Sequence, residues 1–537
     1  MAPRIARDVL HYGAVVGLLA LSVLQPILSL RQKTVTGDEV AHIPAGYAYL
    51  TTGEFRLNPE HPPLIKLLAA VPLLFLPLKP PPLPPGHPDQ VQWQWGQQFL
   101  FTQDADRILF WARLPITLLS GTLAWLVYAW AAALWGRPGG LVALGLYAFE
   151  PNLLAHARLV TMDLGIALFF FAATWAWWRV FQRPSGGRLV LTGLAAGLLL
   201  ATKFAGAVWL LVAPALAALA RALPATGTDD LHAWQQLPWR RVLAMTAVVL
   251  ELALGLLYAT YLFPRDPWVI WRGFLWSQSK LINPHFEIFL LGSYRPFGWW
   301  YYPLVAFVLK TPVPALLLVT AGALALWRHR PARLAALPLA LPPLILLLVV
   351  CWRAPNLGLR YLLPVYPFLY VLAGAAWALR PAGPRRWLGT AVVLALLAWH
   401  ASEALRIAPD YLPYFNQLAG GPERGVESLD DSNVDWGEDL NRLKPYLEGR
   451  GIRQVYLSYP WPAPPQYYGI QAELPTVDDL RSPRPGVYVI SAHAYSRLRL
   501  LYQRDPQLRG ARNWLAETRP VARIGHSLFV YDLRGRP

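Results

Sequence analysis

The sequence has little cysteine and little charge, and each shortage narrows the class of protein. Cys351 is the only cysteine among 537 residues, so no disulfide can form within the chain, and its apolar surroundings favour a packing role. Charged residues make up 15% of the chain, whereas soluble globular proteins carry about 25%. With 55% hydrophobic residues, the composition indicates a chain that lies largely in lipid.

The basic excess does not indicate a nucleic-acid partner. The formal net charge is +17, but residues 405–537 carry 17 Lys or Arg against 15 Asp or Glu, so almost all of the excess lies in the apolar part of the chain. There it is mostly arginine at the ends of apolar runs, a pattern typical of membrane topology and of contact with anionic lipid or phosphate. We therefore predict no nucleic-acid partner.

Eleven apolar segments are predicted to cross the membrane as helices, because about 20 residues span the bilayer core. They lie near residues 11–30, 109–134, 141–152, 163–178, 189–202, 206–220, 242–262, 302–327, 335–352, 361–379 and 388–402. No small-residue cleavage site follows Leu30, so the first segment is read as a retained span. The Arg-rich short turns favour a multi-pass protein of the cell membrane with a cytoplasmic N-terminus.

Two regions outside the spans have a composition of their own. Residues 31–108 form a long outer loop, in which Leu64–Leu78 is too short and too rich in proline to cross, and is predicted to be an interfacial helix. Residues 405–537 have the composition of a soluble domain, with three strands and a helix at 439–448. We therefore predict a transmembrane domain over residues 1–404 and a small extracytoplasmic α/β domain over 405–537.

The outer loop contains an acidic pair, Asp38-Glu39. A carboxylate at the outer surface of a membrane can accept a proton from an attacking hydroxyl, which is the role of a general base. The alternative is that the pair caps a helix beginning at Val40, because acids in a first turn complement the helix dipole. The same loop continues with Asn58-Pro-Glu60-His61-Pro-Pro-Leu-Ile-Lys66.

Ionisable residues at the outer ends of other spans favour a functional interpretation of the acidic pair. Charged side chains are costly inside a membrane and usually mark a functional site. A cluster of Arg and Lys with few acids is suited to an anion, and in a membrane the natural candidate is a lipid-linked phosphate. Ion pairing with Asp163 is the structural alternative. The residues concerned are Arg113, Arg158, Asp163, Lys203 and, in a later aromatic segment, Arg360.

Together these residues resemble a family of glycosyltransferases that use polyprenyl- or dolichyl-phosphate sugars, including the protein O-mannosyltransferases and the aminoarabinose transferase of lipid A. The resemblance covers most of residues 1–400. The motifs that carry it are Asp38-Glu39, His61-Pro-Pro-Leu-Ile-Lys66, Arg113, Arg158 with Asp163, and Lys203. In the His-Pro-Pro motif Ile65 stands where glycine is usual. The mannosyltransferase branch is favoured, because the aminoarabinose branch has a lysine at the position of His61.

The resemblance implies a glycosyltransferase-C fold and transfer of a sugar from a polyprenyl-phosphate donor to an acceptor hydroxyl, with inversion. It implies that Asp38 is the general base and that Glu39 supports it. The residues implied to bind the donor phosphate or the substrate are Arg113, Arg158, Asp163, Lys203, His61, Glu60, Lys66 and Arg360. The scheme requires no cofactor and no metal. The acceptor stays open among protein, lipid and glycan.

Two other functions are compatible with the sequence. A transporter of lipid-linked sugars would show paired repeats with broken helices, which the sequence does not reveal. A non-catalytic membrane protein that binds lipid or glycan is the other alternative. The acidic run at 427–439 could bind a divalent cation through its oxygens, although capping of the helix before Leu440 is favoured.

Overall fold

The computed structural model describes residues 2–222, 231–282, 287–328, 333–353, 355–378, 380, 383, 386–508 and 510–535. Helices dominate residues up to 407, and a mixed sheet with short helices forms the remainder. The helices of the first part are α1 Ala2–Leu30, α2 Glu39–Thr52, α3 Leu64–Ala70, α4 Pro88–Phe101, α5 Ala105–Ala148, α6 Pro151–His156, α7 Met162–Gln182, α8 Gly186–Thr202, α9 Trp209–Ala222, α10 His232–Gln236, α11 Trp239–Thr260, α12 Val269–Ile282, α13 Tyr302–Lys310, α14 Val313–Arg328, α15 Arg333–Arg353, α16 Tyr366–Ala378 and α17 Arg386–Ile407.

Within the described ranges, eight helices are long and apolar enough to cross a membrane. The pair α13 and α14, bent by 107° at a short break, makes a ninth when it is counted as one span. The 17-residue helix α8 is apolar but shorter. These helices establish a multi-pass membrane protein and confirm the predicted fold class, although the number of long spans is eight or nine where eleven were predicted.

The difference in number comes mainly from α5, which has 44 residues and would extend about 66 Å if straight, twice the thickness of a bilayer core. Gly136 breaks it with a φ of 73°, a conformation that glycine adopts without steric cost. Ser120 Oγ lies 2.9 Å from Tyr147 Oη, so the second arm returns beside the first. With these two arms counted separately and α8 included, helices occupy all eleven predicted segments.

Helices α5 and α16 of the helical part pack closely against each other. Gly139 and Gly374 meet at this crossing, where a Cβ on Gly374 would lie 2.8 Å from the carbonyl oxygen of Gly139. Small residues let helix backbones approach closely in a membrane, where the hydrophobic effect does not drive association. The indole of Trp135 donates to the carbonyl of Val371 across the same contact.

The outer loop contains the short elements α2, α3 and α4, and α3 is followed by a 3₁₀ turn over Val71–Phe75. The predicted interfacial helix therefore exists but is shorter than expected, because the prolines at 72 and 77 end it. Gly46 and Gly96 admit close backbone contacts with Lys66 and Val40. These contacts pack the three helices of the loop together.

The C-terminal part forms a five-stranded sheet whose strands, in spatial order, are β4 Gln471–Glu473, β3 Gln454–Ser458, β5 Val487–Ser491, β7 Leu528–Asp532 and β6 Ala522–Ile524. Strands β4, β3 and β5 run parallel to one another, and β7 runs antiparallel to both of its neighbours, β5 and β6. A small hairpin, β1 Ile288–Leu290 and β2 Ser293–Arg295, precedes α13. The elements of the C-terminal part are α18 Leu440–Glu448, β3 Gln454–Ser458, β4 Gln471–Glu473, α19 Val477–Arg481, β5 Val487–Ser491, α20 Ala492–Arg504, α21 Trp514–Glu517, β6 Ala522–Ile524 and β7 Leu528–Asp532. The three predicted strands and the helix are confirmed.

Candidate active site

Asp38 stands immediately before α2, at the N-cap position, but its side chain makes no capping hydrogen bond. Its Oδ2 instead accepts a hydrogen bond from Nη1 of Arg360 at 2.7 Å, across 322 residues of sequence. The Asp38 side chain is 28% exposed, so a ligand can reach it. The interpretation of Asp38 as a simple helix cap is therefore wrong.

Glu39 lies in a different environment from its neighbour. Its carboxylate is fully buried and forms a bidentate pair with Arg113, with nitrogen–oxygen distances of 2.8 Å and 2.6 Å. It also accepts from the amide and hydroxyl of Thr36 and from the amide of Val160. Burial raises the pKa of Glu39, but Arg113 and these donors outweigh it and hold the pKa below its ordinary value.

The same pair accounts for Arg113. Its guanidinium is fully buried and also donates to the carbonyls of Lys33 and Thr34, at 2.9 Å and 2.6 Å. These contacts hold in place the loop segment that leads to Asp38. The geometry thus supports Arg113 as a residue that positions the acidic pair, and Arg113 does not line the cavity described below.

Asp163 and Lys203 come together as expected from their places at two span ends. Lys203 Nζ lies 2.9 Å from Asp163 Oδ1, and the Lys203 ammonium also lies 4.8 Å from the centre of the Tyr361 ring. His156 Nδ1 lies 3.8 Å from Asp163 Oδ2. Burial lowers the pKa of His156 to about 4, so this imidazole is neutral at pH 7.

The His-Pro-Pro motif divides between the cavity and the interior. His61 lines the cavity, and its buried Nδ1 has no hydrogen-bond partner among the described residues. Burial and the nearby Lys203 hold the pKa of His61 well below its ordinary value, so it faces the cavity as a neutral group. Lys66 is fully buried and donates to the carbonyls of Asn58 and His61, at 2.7 Å and 2.8 Å, which fixes the turn.

Two further predicted ligands, Glu60 and Arg158, lie away from the cavity. Glu60 accepts from Gln92 at 3.5 Å, and burial raises its pKa. Arg158 is buried at the junction with the C-terminal domain, where it donates to the carbonyl of Pro409 at 3.1 Å and leaves its Nε without a hydrogen-bond partner. Burial lowers the pKa of Arg158. The structure therefore does not bring these two residues to the cavity.

The cavity has a volume of about 540 Å³. Both apolar and cationic side chains line it, together with His61. The apolar residues that line it include Ile166, Phe204, Val208, Leu346, Val349, Val350 and Trp352. The cationic residues are Lys203, Arg353 and Arg360. Among the lining residues none is acidic, so the cavity suits an anionic group attached to an apolar chain.

The C-terminal domain packs against the acidic pair through the segment that the sequence showed as an acidic run. Gly37 donates its amide to the carbonyl of Trp436 at 3.0 Å, and the guanidinium of Arg360 lies 4.5 Å from the centre of the Trp436 ring. Lys33 bridges Asp410 and Asp439 at 2.6 Å and 2.5 Å. Through these contacts the acidic run is buried against the outer loop.

The expected capping of α18 is wrong, since Asp439 occupies the N-cap but makes no side-chain cap bond and pairs with Lys33 instead. Among the described residues, no group of three or more His, Cys, Asp or Glu side chains is placed to hold a metal ion.

Four residues of this site were not predicted as ligands: Arg353, Tyr361, Trp436 and His156. Arg353 ends a span, which is the same signal that marked Arg113 and Lys203. Tyr361 lies beside Arg360 in the aromatic segment, where an interfacial belt explains aromatic residues equally well. Trp436 and His156 gave no distinguishing signal, because their contacts depend on how the domains dock.

The comparisons with known proteins bear on this geometry. Residues 95–254 match the family model described as dolichyl-phosphate-mannose-protein mannosyltransferase. The matched segment contains Arg113, Arg158, Asp163 and Lys203, and it is shorter than the resemblance expected from the motifs. No curated protein matches the chain in sequence.

The fold is similar to that of a solved glycosyltransferase-C protein. The crystal structure of ArnT from Cupriavidus metallidurans in the apo state has 16% sequence identity and a TM-score of 0.51, with 97% of each chain covered. The same protein bound to undecaprenyl phosphate gives 15% identity and a TM-score of 0.48, covering 96% of this chain and 97% of that one. The archaeal oligosaccharyltransferase AglB from Archaeoglobus fulgidus, in complex with an inhibitory peptide and a dolichol-phosphate, gives 12% identity and a TM-score of 0.48, covering 98% and 77%. The predicted resemblance and the predicted fold are confirmed.

Proposed function

We propose that this protein is a membrane glycosyltransferase that moves a sugar from a polyprenyl-phosphate donor to an acceptor hydroxyl. The observation that carries the proposal is a cavity lined by apolar side chains and by Lys203, Arg353 and Arg360, the last of which pairs with Asp38. A polyprenyl chain matches the apolar side chains, and its phosphate matches the cations. The mannosyltransferase family model supports a sugar of the hexose type, with mannose as the first candidate.

The ion pair between Arg360 and Asp38 gives the site a way to couple donor binding to base activation. A donor phosphate in the cavity competes with Asp38 for the guanidinium of Arg360, because both are anions that prefer its planar donors. When Arg360 turns to the phosphate, the Asp38 carboxylate is released to accept a proton. Glu39 cannot take this role, because both of its carboxylate oxygens already accept hydrogen bonds from buried donors.

The proposed reaction is a single displacement at the anomeric carbon. The acceptor oxygen forms a bond to that carbon while the bond from the carbon to the phosphate oxygen breaks, which inverts the anomeric centre. The bonding electrons leave on the phosphate, and the hydroxyl proton passes to Asp38. Lys203 and Arg360 stabilise the negative charge that develops on the phosphate, which is commonly the largest contribution to catalysis.

The orientation of the protein in the membrane is proposed from the charge of its short turns. The Arg-rich turns favour a cytoplasmic N-terminus, which puts Asp38, the cavity opening and residues 405–537 on the extracytoplasmic side. We propose residues 1–404 as the transmembrane domain, with residues 405–537 as a separate outer domain. An acceptor of protein, lipid or glycan type would reach the site from that side.

The test is sugar transfer by the purified full-length protein in lipid vesicles that contain labelled mannosyl, glucosyl or arabinosyl polyprenyl phosphate and membrane acceptors. We expect the wild-type protein to release polyprenyl phosphate and Asp38→Asn to lose at least about a hundredfold in rate, the usual share of a general base. Glu54→Gln, at an exposed acid of the same loop that pairs only with Arg56, is the matched control. Full activity of Asp38→Asn would remove Asp38 from the mechanism, and binding without release from any donor would favour a non-catalytic lipid-binding protein.

A further inference from the structure

A second carboxylate, in the C-terminal domain, interacts electrostatically with Arg360. Asp431 interacts in this way with Arg360 and with His493, and its side chain is partly exposed. Two acids therefore act on Arg360: Asp38 of the outer loop through an ion pair, and Asp431 of the C-terminal domain at longer range. Neither Asp431 nor His493 lines the donor cavity.

The contacts of the next two residues fix where Asp431 lies. Ser432 donates its hydroxyl to the carbonyl of Leu357, and the amide of Leu359 donates to Asn433 Oδ1 at 3.0 Å. Gly358 between them has a φ of 131°, and a Cβ there would lie 2.5 Å from Ser432 Oγ. Only glycine permits this approach, so the turn that contains Asp431 is docked directly onto the residues before Arg360.

Asp431 adopts a backbone conformation that has a cost. Its φ is 60°, in the left-handed region that side chains other than glycine, asparagine and aspartate rarely enter. Such strain is concentrated at functional sites, where the surrounding structure holds it in place. Oδ1 accepts from the amide of Ser432 at 2.6 Å, while Oδ2 accepts no hydrogen bond from any residue that the structure describes. One carboxylate oxygen is thus left for a ligand.

The neighbours of Asp431 supply a flat aromatic surface and a polar ring. The ring of His493 lies 5.0 Å from that of Trp461, and both are partly exposed. A Cβ on Gly37, the residue before Asp38, would lie 3.1 Å from both Trp436 and Trp461. The aromatic surface therefore adjoins the residue before Asp38, and neither Trp436 nor Trp461 lines the cavity. Burial lowers the pKa of His493, but the nearby Asp430 carboxylate more than compensates and raises it above its ordinary value.

We propose that Asp431, Trp461 and His493 form the acceptor side of the active site and bind a hydroxyl-bearing, carbohydrate-like group beside Asp38. The free oxygen of Asp431 accepts a hydrogen bond from a ligand hydroxyl, and His493 supplies a further polar contact. The indole face of Trp461 packs against the apolar face of a sugar ring. This inference rests on the proposed function and assigns the C-terminal domain a part in it.

The test uses the full-length protein with Asp431→Asn and Asp431→Gly. The glycine variant adopts the left-handed conformation without steric cost, so the backbone turn is kept while the carboxylate is removed. The midpoint of thermal unfolding shows directly whether each variant is folded. Asp478→Asn, at an exposed acid of α19, is the control. Three quantities are measured: the midpoint of thermal unfolding, the binding of undecaprenyl phosphate, and the amount of acceptor membrane that gives half-maximal transfer from a labelled polyprenyl-phosphate sugar.

We expect both Asp431 variants to need roughly tenfold more acceptor membrane, the loss typical of a hydrogen bond to a charged group. Undecaprenyl phosphate binding should stay within about twofold of wild type, as expected if the donor side is intact. An unchanged acceptor requirement would overturn the inference and leave the proposed function standing. A parallel loss of undecaprenyl phosphate binding would show that Asp431 acts only through the structure around Arg360, which also overturns it. No transfer by the wild type from any donor would instead refute the proposed function itself.

Discussion

Two arginine–carboxylate pairs lie on either side of one peptide bond, and they differ in almost every physical respect. Glu39 and Arg113 are fully buried, bidentate and surrounded by further hydrogen bonds. Asp38 and Arg360 share one contact, and their side chains are 28% and 11% exposed. A buried pair that is complete resists change, whereas an exposed single contact can be exchanged for a ligand. The difference separates the residue that holds the loop from the residue proposed to react.

The largest effect should follow from breaking the buried pair. Arg113→Met leaves the Glu39 carboxylate buried without its cation, which should lower the free energy of unfolding by about 3–5 kcal/mol. The double variant Glu39→Gln with Arg113→Met should recover part of that loss, because no charge is then left unpaired. Thermal unfolding of the detergent-purified proteins measures both. A loss below about 1 kcal/mol in the single variant would contradict the structural role of this pair.

The free energy of unfolding should depend on pH through His156, a buried residue of the site. Its pKa is lowered to about 4 in the folded protein, so between pH 6.5 and pH 4 the unfolded chain binds the proton more readily than the folded one. Stability due to this residue is therefore complete above pH 6.5 and falls as the pH drops towards 4, by roughly 3 kcal/mol in all. We expect His156→Gln to flatten the fall in unfolding midpoint over this range. An unaltered slope would show that His156 gains a proton in the folded state.

The exposed pair should respond through ligand binding. Arg360→Lys keeps the charge but loses the planar donors that can serve two anions, so we expect about tenfold weaker binding of undecaprenyl phosphate. The free energy of unfolding should change by less than about 1 kcal/mol. Titration of undecaprenyl phosphate into the protein in nanodiscs measures the first effect. Arg353→Lys, at the exposed rim of the same cavity, is the comparison, and an equal loss there would mean that Arg360 has no special place.

The smallest effect should be that of Asp38→Asn on folding. Its ion pair is partly exposed and single, so the free energy of unfolding should shift by less than about 1 kcal/mol, even though transfer is lost. Glu39→Gln measured beside it should cost several times as much. Equal losses from the two substitutions would erase the distinction between these adjacent acids.

The helical half of the fold could be predicted because apolar length is a local property of the sequence. The turn within α5 could be predicted for the same reason, because the break at Gly136 separates its two apolar arms in the sequence. The number of long helices is smaller than the number of predicted spans because α5 contains two predicted segments and because α8, with 17 residues, is shorter than a full crossing. The separate C-terminal domain was visible in its composition, and its strands in their β-branched and aromatic residues.

The candidate site was predictable in part of its membership and not in its pairings. Polarity at a span end identified Arg113 and Lys203 alike, yet Arg113 pairs with Glu39 and only Lys203 reaches the cavity. The contact of Asp38 with Arg360 joins positions 322 residues apart, which no local pattern encodes. The acidic run looked like a solvated helix cap, because its burial depends on docking against Lys33 and Gly37.

The salt bridge from Lys33 to Asp439 joins residues 406 positions apart, and this distance has a consequence in time. At about 5–20 residues per second, roughly 20–80 s of synthesis separate the two partners. During that interval the loop that precedes Asp38 has neither Asp439 nor Trp436 to rest on. A growing chain can therefore insert its helices into the membrane long before Asp38 is held in place, and completion of the last domain is what finishes the proposed active site.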